Sequence, residues 1–230
     1  MKKIDKNEII EITGLADRKI RNIYMYGSRV YGTYGVDSDY DIMVTACSML
    51  VDKEFYEGEY NIHVTTPDIF EDRLRKHDIH AIECMYAPDF AQIQITKDYR
   101  EDFVLNPRQL KKMLLSQSSD AWRKAMMRID DENYVGGEKT LFHSLRILKF
   151  GIQIIENGKL TDFSEANYLK EQIDMFSETA DFDFSWASYK HAWYPVRKKL
   201  QKEFRSLDEG MGNRPFDVLD EILEKVENKS

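Results

Sequence analysis

The sequence predicts a small α/β unit followed by a helical half, and three observations carry that prediction. Short runs rich in aromatic and β-branched residues, separated by turn residues, fill the chain up to about residue 105. From Pro107 onward, apolar residues recur every three and four positions. The 230 residues are 42% hydrophobic and 12% aromatic, enough to bury a substantial core.

Each element follows in order. Residues 5–21 place Ile9, Ile10, Ile12, Leu15 and Ile20 at helical spacing, with Gly14 interrupting. "NIYMYG" and "YDIMVTAC" read as strands, and "YNIHVTT" as a third, alternating one. Pro67 and Asp68 open a helix through "DIFEDRLRKH", since proline is tolerated in the first helical turn. "AIECMYAPDFAQIQI" fits either a strand or a buried short helix. "PRQLKKMLLSQSSDAWRKAMMRI", "KTLFHSLRILKFGIQIIENG" and "FSWASYKHAWYPVRKKLQKEF" are amphipathic helices, the second stopped by Gly158. The expected domains are therefore 1–105, an α/β core, and 106–230, a helical region.

Composition narrows the function classes. No apolar run is long enough to cross a bilayer, and "MKKIDKNEIIEI" lacks the apolar stretch of a signal peptide, so no membrane partner is expected. Two cysteines, Cys47 and Cys84, imply no disulfide framework and suggest a reducing, cytoplasmic setting. The net charge of −8 is uneven: residues 36–102 hold 16 acids against 6 bases, whereas 103–150 hold 9 bases against 5 acids. Most of these charges belong to solvated surface, yet the pattern also suits an acidic, cation-seeking site beside a segment able to meet phosphates.

The stretch "YMYGSRVYGTYGVDSDYDIMV" concentrates the chemistry. In a strand, Asp39 and Asp41 project from one face while Tyr40 and Ile42 take the other. Two neighbouring carboxylates repel unless a cation lies between them, and Mg²⁺ commonly binds one or two carboxylates together with phosphate oxygens. Gly27 and Ser28 follow the first strand directly. A helix starting there offers free backbone N–H groups, glycine permits close approach, and the serine hydroxyl can donate to phosphate. Arg29 can pair with a phosphate or remain solvated.

On "GSRVYGTYGVDSDYD" the chain resembles the DNA polymerase β-type nucleotidyltransferase superfamily. It is most similar to bacterial and phage-borne nucleotidyltransferases linked to RNA repair. "AIECMYAPD" and "LFHSLRILKFGIQIIENGKL" are similar to further segments of that group, so the resemblance touches residues 22–160. It implies a polymerase β-like core with a short mixed sheet. It also implies Mg²⁺ or Mn²⁺ held by Asp39 and Asp41, and a nucleoside triphosphate, ATP among them, cradled by Gly27 and Ser28. The expected reaction is attack of an acceptor hydroxyl on the α-phosphorus with release of pyrophosphate. The acceptor expected from the resemblance is an RNA end, tRNA included; a protein side chain, a small molecule, or a silent nucleotide-binding role are the alternatives.

The chain departs from the family at one place. Members supply a third carboxylate from a neighbouring strand, and the matching strand here is "EYNIHV", where Glu59, Asn61 and His63 share the outward face. These three and Glu83 are the third-ligand candidates. Lys139, His143 and Arg146 share one helix face, and the resemblance makes Lys139 and Arg146 candidates for triphosphate or acceptor binding; by spacing alone they form a solvated polar face. Arg123, Lys124 and Arg128 extend that basic surface.

Other groupings carry less. His77, His80 and Cys84, with or without His63, match no familiar zinc spacing, and Arg75 with His80 fits only a loose ribonuclease pattern. Trp186, Tyr189, Trp193, Val196, Leu200 and Phe204 recur as the buried stripe of a helix, which would leave Arg197, Lys198, Lys199, Lys202 and Arg205 largely towards solvent.

Overall fold

The computed structural model describes residues 4–48, 52–178 and 183–207. The chain divides into two compact units, Met1–Val104 and Leu105–Ser230. No helix among the described residues is long and apolar enough to cross a membrane.

The first unit opens with α1, Lys6–Thr13, capped by the Asp5 carboxylate accepting from Asn7 N. The helix expected through residue 21 ends early, because Gly14 adopts φ 66° and its N–H closes on Ile10 O. Ile20 instead starts β1, Ile20–Tyr26, followed by the single turn α2, Ser28–Tyr31, and β2, Tyr40–Ala46. Next comes β3, Lys53–Glu57, a strand absent from the sequence reading, and then β4, Tyr60–Thr65. Helix α3, Pro67–Arg75, starts at the expected proline and is capped by the Thr66 hydroxyl. The ambiguous segment that follows is both things in turn: α4, Ile79–Met85, and β5, Gln92–Ile95.

The strands form one mixed sheet in the order β3-β4-β2-β1-β5. Only β2 and β4 run parallel, with Tyr40 opposite Tyr60 and Val44 opposite Val64. Ile23, Met25, Ile42, Val44, Ile62 and Val64 share one face and are buried, each contributing about 1.5–3 kcal/mol relative to exposure. The opposite face carries Tyr24, Tyr26, Asp41, Met43, Asn61 and His63. There α3 lays Phe70 on Tyr24, ring centroids 6.0 Å apart. That cover lies away from the end of the sheet where Asp41 and Asn61 sit.

The second unit is helical: α5, Pro107–Asp130; α6, Tyr134–Asn157; α7, Asn167–Ser177; and α8, Trp186–Ser206. Asn106 and Ser185 cap α5 and α8, and Gly158 ends α6 at φ 72° as expected. Leu114, Leu141, Leu145, Leu148, Tyr189 and Phe204 form its core, which confirms the aromatic stripe of α8 as packing. Gly151 lets α6 approach α8: a Cβ there would meet the Phe204 ring at 2.6 Å. Residues 208–230 of the expected helical region lie outside the described residues.

Candidate active site

Strand β1 delivers Gly27 beside Asp41, and the two are packed together. Gly27 has φ 79° and ψ −158°, a conformation essentially reserved for glycine. A Cβ on Gly27 would overlap Asp41 Oδ2 and stand 3.1 Å from Asp41 Cγ. The glycine therefore makes room for the carboxylate itself. Ser28 begins α2, whose four residues are too few for the aligned dipole of a longer helix; what its first turn retains is backbone N–H groups and the serine hydroxyl.

The loop between α2 and β2 is braced from within. Arg29 Nε donates to Asp39 O at 3.2 Å, and its Nη2 donates to Ser38 O. The guanidinium lies 3.7 Å from the Tyr40 ring centroid and 5.1 Å from that of Tyr34. Arg29 thus holds the loop that presents Asp39. Asp39 is exposed just before β2, and Asp41 is half-buried within it.

Four strands contribute side chains to the face around Asp41. Tyr26 of β1 is paired with Asp41, Asp41 with Asn61 of β4, and Asn61 with Tyr56 of β3. Asn61 Nδ2 donates to Asp41 Oδ1 at 2.9 Å. Tyr56 donates its hydroxyl to Glu54 Oε2 at 2.6 Å. Burial pushes the Tyr26 phenol up, and the carboxylates of Asp41, Glu83 and Glu54 add to the shift. The Tyr56 phenol is raised by its hydrogen bond to Glu54, then by burial and by the charges of Glu54 and Asp41.

The third-ligand candidates separate. Asn61 touches Asp41. His63 lies 3.3 Å from Asp52 Oδ1, an oxygen that also accepts from Thr65 and Arg73. Burial alone would raise the Asp52 carboxyl, but the Thr65 bond, Arg73 and His63 together hold it below the ordinary range. Glu59 sits in the β3–β4 turn, where its carbonyl accepts from Tyr40 N at 2.7 Å. Glu83 on α4 is 1% exposed and accepts the Tyr31 hydroxyl at 2.6 Å. It ties α4 to the turn that begins at Ser28.

Among the described residues, no three His, Cys, Asp or Glu gather around a point where they could hold a metal ion. Asp39, exposed, and Asp41, half-buried, offer carboxylate oxygens, the donor type a hard cation takes together with phosphate or water oxygens. The zinc grouping gains no support: His77 is buried with its Nδ1 3.1 Å from Arg75 O, and Cys84 is buried; of the ribonuclease pair, Arg75 lies 3.6 Å from Asp72.

In the second unit, Lys139 is exposed on α6. Arg146 corrects the expected solvated face: it is 5% exposed, with Nη2 2.9 Å from His143 Nδ1 and the guanidinium near the Phe142 and Phe150 rings. Arg197 is likewise buried, over Trp122 and bonded to Ser119. Arg128 is spent on Gly136 O and Thr140, and Arg123 on Asp120; Lys124 is exposed.

Sequence reasoning missed strand β3, which carries Glu54 and Tyr56. The signal was present in "EFYEGEYNIHV", two short runs separated by Gly58 and Glu59, which is hairpin spacing.

Residues 7–103 match the family model described as the nucleotidyltransferase domain. No curated protein matches the chain. Among solved structures, the chain is similar to a nucleotidyltransferase-like protein from Exiguobacterium sibiricum: 13% identity, 87% of this chain and 73% of that one, TM-score 0.33. It is also similar to a spectinomycin adenyltransferase from Enterococcus faecialis, solved with ATP and spectinomycin: 15% identity, 87% and 98% covered, TM-score 0.45.

Proposed function

We propose that this chain, a nucleotidyltransferase by the domain it carries over residues 7–103, moves a nucleoside monophosphate from a nucleoside triphosphate to an acceptor hydroxyl at Asp39 and Asp41. The observation that carries this reading is the packing of Gly27 against Asp41, with the Ser28 turn following directly on that glycine. Asp39 and Asp41 would hold Mg²⁺ or Mn²⁺. When bound, such an ion neutralises phosphate charge and orients the triphosphate. Gly27 makes room for the Asp41 carboxylate, and the Ser28 hydroxyl that follows it would donate to a phosphate oxygen. Asn61 fixes the orientation of the Asp41 carboxylate through Oδ1. Arg29 supports the loop behind Asp39. The acceptor hydroxyl attacks the α-phosphorus in line, and pyrophosphate leaves.

We assign an RNA end as the acceptor. The resemblance of the Gly-Ser to Asp-x-Asp signature supports it, as do the exposed Arg108, Lys112, Lys124 and Lys139 of the second unit, which suit a phosphate backbone. The two free cysteines suit a reducing, cytoplasmic setting.

The test is to incubate the full chain with each of the four triphosphates labelled at the α-phosphate, a divalent cation, total RNA and lysate protein. A variant carrying both Asp39→Ala and Asp41→Ala serves as control. Label on RNA that disappears in the variant is the expected result. Label on protein or on a small molecule overturns the RNA assignment and keeps the transfer. No label on any acceptor, with nucleotide binding intact, overturns the transfer.

A further inference from the structure

We propose that the face shared by α5 and α8 binds single-stranded RNA, with a backbone phosphate held at Arg197 and a base stacked on Tyr194. The inference rests on the RNA-acceptor reading and adds a place on the second unit where that strand is gripped.

A buried cation with no opposite charge is the observation that points to a ligand. Arg197 is 8% exposed. Its Nη2 donates to Ser119 Oγ at 2.9 Å, its Nε is buried without a hydrogen-bond partner, and Nη1 bonds to nothing among the described residues. No carboxylate among the described residues pairs with the guanidinium, and the charge that acts on it is another cation, Arg205. Asp120, next to Ser119 on α5, is taken by Arg123. Withdrawing a guanidinium from water costs more than one cation–π contact returns, and the Trp122 ring centroid 4.9 Å away supplies that one contact. An anion from outside the chain completes the balance, and the planar donor fork of arginine suits a phosphate.

The surroundings say which phosphate. The Trp122 ring is a hub, its centroid 5.1 Å from that of Trp186 and 6.3 Å from that of Tyr194. Tyr194 is 38% exposed, and Lys198 Nζ lies 5.3 Å from its ring centroid. Trp186, Lys190, Tyr194 and Lys198 follow one another at every fourth position, so they form one stripe of α8, with both lysines exposed. Rings alternating with cations match a single strand, in which bases alternate with phosphates. A duplex keeps its bases stacked on one another and has none to lay on Tyr194. An acidic peptide would meet the cations and leave the rings without a planar partner.

The experiment measures binding of a fluorescently labelled single-stranded RNA of mixed sequence to the native full chain and to Arg197→Met, Tyr194→Ala, Tyr194→Phe and Lys198→Ala, by anisotropy at several salt concentrations. Thermal midpoints are read on the same samples. Tyr194→Ala is expected to weaken binding about 10-fold, while Tyr194→Phe, which keeps the ring, binds as the native chain does. Arg197→Met is expected to weaken it by a similar factor without lowering the midpoint, since an apolar side chain of similar size replaces an uncompensated charge. Lys198→Ala should reduce the slope of log affinity against log salt by about one. Native affinity in Tyr194→Ala and Lys198→Ala, or in a folded Arg197→Met, overturns this site and leaves RNA bound elsewhere on the chain. A lowered midpoint in Arg197→Met with affinity unchanged makes Arg197 a packing residue and overturns it too. Duplex RNA bound as tightly as the single strand overturns the stacking on Tyr194, and poly-glutamate displacing RNA as well as unlabelled RNA does overturns the nucleic-acid assignment. No binding of RNA by the native chain overturns the RNA-acceptor reading and this site with it.

Discussion

Asn61 Nδ2 donates to Asp41 Oδ1 across the parallel β2–β4 pair at 2.9 Å. Replacing Asn61 by Asp exchanges that bond for like-charge repulsion. The metal-free chain is expected to lose about 1.5–3 kcal/mol, the range of a hydrogen bond to a charged group. Millimolar Mg²⁺ should restore the loss. Thermal unfolding with and without the cation checks it, and an Asp variant as stable as the native chain without metal would contradict it.

Gly27→Ala should fail on two counts. Its φ of 79° with ψ −158° costs a residue bearing a Cβ on the order of 1–3 kcal/mol, and the methyl overlaps the Asp41 carboxylate. The variant is expected to fold with a lowered midpoint and to bind triphosphate far more weakly than that stability loss accounts for. Calorimetric titration alongside chemical denaturation separates the two effects.

Tyr31→Phe removes the hydroxyl that reaches buried Glu83. The expected cost is about 1–3 kcal/mol for a weakened buried polar contact. Because Tyr31 belongs to the turn beginning at Ser28, triphosphate KM should rise with it. A lowered midpoint with KM unchanged would show that the bond stabilises the fold without positioning Ser28.

His77 predicts how acid affects the first unit. Burial holds its imidazole below the ordinary value of 6.5, so the folded chain resists protonation that the unfolded chain accepts. Its contribution to stability is therefore full above 6.5 and declines as the pH falls below it. His77→Asn suits the residue's φ of 60° and removes the imidazole. Denaturant midpoints between neutral and mildly acidic pH should fall less steeply in this variant than in the native chain.

The features legible in the sequence were those written locally. Gly27, Ser28, Asp39 and Asp41 lie within one short stretch, and the alternation of Tyr60, Ile62 and Val64 against Asn61 and His63 announced a half-buried strand. Strand β3 escaped because Lys53, Glu54, Tyr56 and Glu57 are all exposed and only Phe55 is partly covered, so no apolar alternation marks it. The bond between Asn61 and Asp41 needed parallel pairing, which neither strand specifies alone. Arg29 and Arg146 look alike in a sequence. One turns back to carbonyls of its own loop, and the other is buried between rings, choices that tertiary packing makes.

Strand β3 lies at the margin of the sheet, and among the described residues no further strand pairs with its outer side. Lys53, Glu54 and Glu57 put charge on that margin, and charge is what discourages another molecule's strand from adding to it. A substitution that neutralises Glu54 therefore acts on solubility. The concentration at which Glu54→Gln begins to self-associate, read by light scattering, is expected to fall below that of the native chain.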